Sequence, residues 1–219
     1  MGPVMFVFDV SETEAIPSAK EVKPLPPEIY KPFEVLNGQL LNNELELVIE
    51  NAKRDGIRIT TTNDGSQSAG CIRWVNKNQP LDSQKVLSGY EKNKKPLFTL
   101  VTVRYELLVN ANGQSPGAQY ATIAHELAHL YCGHLGTQDI KLWPDRQRLN
   151  HVTEEFEAES VSFMVCQRQG IQTTSPEYLS QFVKDHADIP TISMESVMKA
   201  AGLIESMSSQ RLKLRKEKG

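Results

Sequence analysis

The residues best suited to chemistry lie in His125-Glu126-Leu127-Ala128-His129, an H-E-x-x-H sequence. On an α-helix, positions i and i+4 lie about 40° apart around the axis, so two imidazoles point the same way and reach one metal ion. Glu126 lies about 100° round from His125, close enough to act on a water molecule without ligating the ion. This set of groups is typical of zinc-assisted hydrolysis.

The residues around the motif predict that it is helical. Alanines and leucines with high helix propensity surround it, and Gly133 follows as a stop signal. The alternative is an ordinary amphipathic helix with two surface histidines. Ile123, Leu127 and Leu130 argue against it, because a surface helix would not surround exposed polar ligands with apolar side chains. A third ligand is needed to decide between the two interpretations.

A second helix is predicted over His151–Gln169, and it supplies the candidates for that ligand. At about 100° per residue, Glu155 and Glu159 fall on one stripe whose other members are small or apolar. Buried carboxylates need a metal ion or a partner, so these two are candidates for the site. Glu154 and Glu157 lie elsewhere on the helix and are expected to be solvated, as is usual at a helix start.

The helix pair, H-E-L-x-H-x-x-x-G-H followed by E-x-x-A-E-x-x-(small), resembles the zincin metallopeptidase domain of the ImmA/IrrE group. It is most similar to the metallopeptidase half of ArdC-type antirestriction proteins, and Phe6–Glu14 is similar to the segment leading into that half. The resemblance implies an α+β, zincin-like fold, with a small twisted sheet packed on the two helices. It implies His125, His129 and Glu155 as Zn²⁺ ligands, with Glu159 orienting one histidine ring.

Zinc in such a site lowers the pKa of its bound water and polarises a carbonyl group, and Glu126 is expected to take the proton and pass it to the leaving amine. Zincins often place an oxyanion-stabilising group after the third ligand, so Tyr178 and His186 are candidates, together with Tyr131. A tyrosine on a helix is more often a core residue. His134 does not match the longer zinc-protease spacing and is predicted to be a helix-end residue.

Composition limits the partners and the compartment. The 219 residues carry a net charge of −3, which gives no global attraction to DNA or to an anionic membrane. No apolar run reaches membrane-spanning length. Three cysteines cannot all pair with one another and indicate free thiols in a reducing cytoplasm. A protein substrate is therefore favoured over DNA, and the oligomeric state stays open.

The predicted organisation has three parts. They are a Pro-rich N-terminal arm over 1–35, a zincin-like metallopeptidase domain over 36–190, and a C-terminal helix with a basic tail over 191–219. Five prolines within Ser11–Pro32 exclude a helix or a central strand there.

Other elements are predicted from periodicity and turn residues. They are a helix over Asn42–Asp55, strands over Ile57–Thr62 and Ala69–Val75, an irregular stretch over Asn76–Lys95, a β-rich stretch over Leu97–Asn110, and a last helix over Thr191–Met207. Tyr105–Asn110 is interpreted either as the edge strand onto which an extended substrate adds or as a plain core strand. The basic tail Arg211–Gly219 is expected to be a solvated terminus.

Two functions remain at this stage. The first is a zinc-dependent endopeptidase that cleaves a regulatory or host protein. The second is a non-proteolytic zincin-fold antirestriction or DNA-binding protein. The presence of Glu126 favours the first, because a structural zinc ion needs no neighbouring base.

Overall fold

A computed structural model describes residues 35–40, 42–63, 69–75, 81–112, 114–176, 179 and 189–215. Its strands are β1 (Val35–Asn37), β2 (Ile57–Thr62), β3 (Gly70–Trp74), β4 (Ser83–Tyr90), β5 (Pro96–Thr102), β6 (Tyr105–Asn110) and β7 (Gln172–Thr173). Its helices are α1 (Glu44–Arg54), α2 (Pro116–Tyr131), α3 (His151–Arg168) and α4 (Met194–Ser209). The fold is a mixed α+β arrangement. Residues 1–34 of the predicted N-terminal arm lie outside the described residues.

The sheet next to the H-E-x-x-H helix has three strands in the order β2-β6-β3. Strand β6 is parallel to β2 and antiparallel to β3, so both of its edges are paired. The prediction that Tyr105–Asn110 is an edge strand is therefore wrong, and the core-strand alternative is confirmed. The physical reason is burial, since Tyr105, Leu107 and Val109 are at most 2 % exposed and form one face of the core.

The stretch predicted to be irregular over Asn76–Lys95 instead contains β4, so that prediction is wrong. Strand β4 pairs with β5 in an antiparallel hairpin, apart from the three-stranded sheet. Only Val86 of β4 is buried. The strand thus depends on its ladder with β5 more than on a buried apolar face, and hydrophobic periodicity does not reveal it.

Helix α2 lies in the middle of the molecule. It packs against α3, and against β3 and β6 of the sheet, while α4 packs on α1 and α3. Residues from all four helices and the sheet form one buried core. The Ser162 hydroxyl of α3 donates to the carbonyl of Ala121 on α2, which fixes the two helices relative to each other.

The basic tail does not behave as a solvated terminus over its first five residues. Arg211 contacts Glu50, and Arg215 lies 3.1 Å from Asp55. The backbone N–H of Leu212 donates to the side chain of Asn51. Residues 211–215 therefore pack on the helix α1 side of the molecule, which corrects the expectation for this part of the tail.

Candidate metal centre

Helix α2 begins at a defined cap. The Ser115 side chain accepts a hydrogen bond from the Ala118 N–H, and Pro116 occupies the first turn, where its missing N–H costs nothing. From this start the helix runs without a break through His125, Glu126 and His129. The H-E-x-x-H sequence is thus held on one rigid element.

The two histidines of α2 face the carboxylate of Glu155 on α3. The Nε2 atoms of His125 and His129 lie 3.2 Å apart. Each of them also lies 3.5 Å from an oxygen of Glu155. Two ring nitrogens and the Glu155 carboxylate therefore lie close together between two packed helices, each nitrogen facing a different oxygen of that carboxylate.

Helix α3 presents Glu155 one turn after its own cap. The Asn150 side chain accepts from the Thr153 N–H at 2.8 Å, which fixes the start of the helix. The helix is closely packed on α2, and Ala158 in the following turn is fully buried. A small residue at that position lets the two helices approach closely enough for Glu155 to reach both rings.

The other ring nitrogen of each histidine also has a partner. The Nδ1 atom of His125 lies 2.9 Å from Oε2 of Glu159, which is on the same helix as Glu155. Such a carboxylate fixes the ring orientation and the tautomer that leaves Nε2 available for a metal ion. Glu159 thus contacts a histidine ring nitrogen, and its role beside a bound metal ion stays a prediction.

The Nδ1 atom of His129 lies 3.0 Å from Nδ1 of His134, a partner that the sequence analysis missed. Helix α2 ends in a Schellman motif, in which the N–H of Gly133 bonds to the carbonyl of Leu130 and the N–H of His134 to that of His129. Gly133 has a φ of +87°, which favours glycine. The motif turns the chain back, so His134 lies beside the side chain of His129.

That geometry was available as a sequence signal. In a Schellman motif, the residue after the left-handed glycine contacts the residue five positions before it. With Gly133 as the stop signal, the residue so contacted is His129. The spacing of metal ligands does not reveal this contact, because it considers His134 only as a ligand and not as a neighbour of one.

Glu157 anchors His134 from the other side, and the prediction that Glu157 is solvated is wrong. Its side chain is fully buried and accepts from Nε2 of His134 at 2.9 Å, from both terminal nitrogens of Arg146, and from the N–H of Ser193. Burial alone would raise the pKa of Glu157, but these donors outweigh it and lower the pKa to about 2. The helix wheel missed this because the face opposite Glu155 is covered by residues distant in sequence.

Within the described residues, Cys132, His134 and Glu157 also form a cluster with metal-ligand atoms. Both carboxylate oxygens of Glu157 already accept from the guanidinium of Arg146. A fixed positive charge at that place opposes a cation. Burial also raises the pKa of the Cys132 thiol to about 12, which keeps it protonated. This cluster is therefore an ion-paired support for His129.

Glu126 lies between the histidine pair and the sheet. Its Oε2 accepts from the N–H of Ile72 on β3 at 2.9 Å. Burial raises the pKa of Glu126. The charge on His125 and the hydrogen bond from Ile72 lower it, but by less than burial raises it. A Cβ on Gly70 would approach Thr122 Cγ2 to 2.7 Å and Glu126 Cγ to 3.1 Å. A glycine at this position therefore leaves the space that the Glu126 side chain occupies.

The two histidines titrate very differently in the absence of a metal ion. Burial lowers the pKa of His125, but its hydrogen bonds to the carboxylates of Glu155 and Glu159 outweigh this effect and raise the pKa to about 10. Burial and the neighbouring charge on His125 lower the pKa of His129 to about 3. Glu155 and Glu159 thus favour a positive charge at the place where the ligand atoms converge.

The remaining predicted site residues have different locations. Tyr131 is buried at the end of α2, and its hydroxyl donates to Asp55 at 2.9 Å. The hydroxyl hydrogen of Tyr131 is used in that bond, so it does not support a role in stabilising an oxyanion. Tyr178 and His186 lie outside the described residues. Glu154 is half-buried in the first turn of α3.

The donor set fits a zinc ion. Zinc in catalytic sites takes three protein ligands from nitrogen, sulfur and oxygen donors, and keeps one position open. Here two imidazoles and one carboxylate converge, and ring-orienting partners stand behind both imidazoles. A second carboxylate, Glu126, lies on the same helix next to a ligand, where it can move a proton.

The family model of the IrrE N-terminal-like domain matches residues 53–167, just over half of the chain. This chain belongs to the IrrE N-terminal-like peptidase family. The matched segment runs from the end of α1 through nearly all of α3 and includes every residue of the candidate metal centre. It is a metallopeptidase-like domain, as the resemblance to the ImmA/IrrE group implied.

No curated protein and no solved structure is detectably similar to this member of the family. Among the described residues, none of the helices combines the length and the apolar character needed to cross a membrane.

Proposed function

We propose that this protein is a zinc-dependent endopeptidase, with His125, His129 and Glu155 as the zinc ligands. The observation that carries the proposal is the convergence of two ring nitrogens and one carboxylate group, with 3.2 Å between the nitrogens and 3.5 Å from each nitrogen to an oxygen of Glu155. The chemistry that zinc supplies in such a site is Lewis acidity, which polarises a carbonyl oxygen and lowers the pKa of water. The fold we propose is the zincin arrangement.

Glu126 is the general base and then the general acid. Its carboxylate takes a proton from the attacking water and later donates that proton to the nitrogen of the departing amine, which completes hydrolysis of the peptide bond. Its burial, which raises its pKa, supports this role because a base with a pKa nearer the working pH is more effective. The N–H of Ile72 holds the carboxylate in place between these two steps.

We propose that the substrate lies as an extended chain along β3. In the part of the chain that the structure describes, β3 is an outer strand of its sheet, and its residue Ile72 contacts Glu126. A peptide that adds to this edge brings its backbone next to the base. This assignment replaces the sequence-based choice of β6, which is paired on both sides.

We propose that the substrate is a regulatory or host protein in the cytoplasm, and that the domain is of the ArdC metallopeptidase type within its family. The net charge of −3 supports a protein substrate over DNA. So does the tail, because Arg211 and Arg215 pair with acidic residues of the same chain instead of extending as a basic arm.

The test is proteome-wide mapping of new protein N-termini in cells that produce wild-type protein, Glu126→Gln or Glu154→Gln. Glu126→Gln keeps the three ligands but removes the base, so zinc content should be unchanged while cleavage disappears. Glu154→Gln is a matched control on a glutamate outside the site and should cleave as the wild type does. Identical N-termini in wild-type and Glu126→Gln samples would overturn the proposal and favour a binding role.

A further inference from the structure

A cavity of about 800 Å³ lies on the α1 side of the molecule, apart from the candidate metal centre. Its walls come from the end of α1, from β5 and the start of β6, from the loop after α2, and from the tail at Leu214 and Arg215. None of the residues of the candidate metal centre lines it. The size falls in the range of small-molecule sites, which is roughly 300–1,000 Å³.

Arg54 is the most unusual residue of this wall. It is only 5 % exposed, and one terminal nitrogen donates to the carbonyl of Leu87 at 2.6 Å. Its Nε is buried and has no hydrogen-bond partner among the described residues. Glu50 and Asp55 are close enough for their charges to act on Arg54, but their ion pairs are with Arg211 and Arg215. A buried guanidinium is unfavourable unless it is paired, so this position calls for an anion.

Tyr105 adds a second donor without a partner. It is 1 % exposed, and its hydroxyl forms no hydrogen bond within the described part of the chain. Burial raises the pKa of this hydroxyl well above its usual value, so it stays protonated and available as a donor. Two buried donors of one cavity, on different elements, therefore lack acceptors.

The charges of the lining favour an anion as well. Arg54, Arg104 and Arg215 line the cavity, against Asp55 and Asp139. Asp55 already accepts from Arg215 and from the hydroxyl of Tyr131, so its charge is compensated inside the protein. Arg54 is therefore the buried charge of this wall that has no carboxylate of its own among the described residues, since Glu50 and Asp55 pair with Arg211 and Arg215.

The rest of the lining is apolar and aromatic. The ring of Trp143 is buried, with the guanidinium of Arg215 lying 5.7 Å from its centre. Leu100 and Leu142 lie at the exposed rim. Aromatic rings and leucine side chains pack against planar or apolar groups. We therefore expect this wall to contact a planar, apolar part of a ligand whose anionic group lies elsewhere in the cavity.

We infer that this cavity binds a small molecule in which a phosphate or carboxylate group is joined to a planar, apolar body. The oxyanion accepts from the Arg54 guanidinium and the Tyr105 hydroxyl, and the body lies against Trp143. Arginine forks match both phosphate and carboxylate geometry, so the two sources share one recognition chemistry. This site is separate from the proposed peptidase site and does not depend on it.

The experiment is isothermal titration calorimetry of the full chain with inorganic phosphate, citrate, adenosine monophosphate and uncharged adenosine. Adenosine monophosphate and adenosine are matched, since they differ only in the phosphate. We expect saturable binding of at least one of the three anions, and adenosine should bind at least about tenfold more weakly than its monophosphate, as loss of a charged contact predicts. Binding by phosphate compounds alone or by citrate alone identifies the source of the anion.

Arg54→Gln should abolish that binding, whereas Arg168→Gln should leave it unchanged, because Arg168 is an exposed arginine paired with Glu205 elsewhere. Circular dichroism shows whether each variant is folded. Where Arg54→Gln does not fold, Arg215→Gln is the second test. It leaves the charge of Asp55, which lines the cavity, without its partner, and should weaken anion binding at least tenfold. Absence of binding by all three anions, equal binding of adenosine and its monophosphate, or unchanged binding in the folded arginine variants would overturn the inference.

Discussion

The Nδ1 atom of His125 lies 2.9 Å from Oε2 of Glu159, and its Nε2 atom faces Glu155 one turn away on the same neighbouring helix. Two carboxylates four residues apart on α3 thus contact the two ring nitrogens of His125. The carboxylate of Glu159 orients the ring, and that of Glu155 completes the cluster with His129. The i, i+4 spacing on α3 repeats the i, i+4 spacing of the histidines on α2.

Removing the orienting carboxylate should weaken the metal site without destroying it. We predict that Glu159→Ala lowers zinc affinity by about 10–100-fold, the range found for partners of metal-bound histidines. Competition with a chromophoric chelator measures this change. Glu154→Ala is the control on the same helix and should keep the wild-type affinity. An unchanged affinity in Glu159→Ala would show that the contact with His125 does not orient the ring.

Glu157 should matter for stability more than any surface pair does. Glu157→Gln leaves Arg146 and His134 without their buried anion, and we expect a loss of about 3 kcal/mol in the free energy of unfolding. The matched control is Glu205→Gln, which breaks the more exposed pair with Arg168 and should cost under about 1 kcal/mol. Urea denaturation measures both. Equal losses in the two variants would contradict a supporting role for Glu157.

The stabilisation that Glu157 provides should depend on pH. The pKa of Glu157 is about 2 in the folded protein, below the ordinary 4.5. Its contribution to stability is therefore complete above about pH 4.5 and is lost as the pH falls towards 2. The difference in unfolding free energy between wild type and Glu157→Gln should therefore shrink as the pH falls from 4.5 to 2. Both proteins are measured with a chelator present, so that metal binding does not contribute. A difference that stays constant from pH 7 to pH 3 would refute the assigned pKa.

Gly70 should be required for the position of Glu126. Gly70→Ala places a Cβ 2.7 Å from Thr122 Cγ2, so α2 or β3 must shift. We predict a stability loss of about 1–3 kcal/mol and a fall in peptidase activity, with zinc content unchanged. Gly89→Ala is the control, because a Cβ there meets nothing within 4 Å. Thr122→Ser in the Gly70→Ala background removes the closest atom and should restore part of the activity.

The local parts of the site follow from sequence because they depend on one helix at a time. The H-E-x-x-H spacing and the stripe that contains Glu155 and Glu159 require only the helical period, and the structure has helices at both places. The helix predicted at Asn42–Asp55 also exists, as α1 over Glu44–Arg54. The strand predicted at Ile57–Thr62 has the same bounds in the structure.

The parts that failed depend on contacts between distant segments. Glu157 is buried by Arg146, by Ser193 and by His134, which lie before and after its helix. No periodicity within α3 carries that information. The central position of β6 likewise depends on pairing with β2 and β3, more than 30 residues earlier in the chain.

The most direct measurement is the metal content of the purified protein by elemental analysis, for wild type, His129→Ala, Glu155→Ala and Glu154→Ala. We expect about one zinc ion per chain in wild type and in Glu154→Ala, and little or none in the other two, because a catalytic site needs all three ligands. A wild-type protein that holds no zinc and takes up none when it is supplied would contradict the three-ligand zinc site. So would a Glu155→Ala variant that keeps the full amount of zinc.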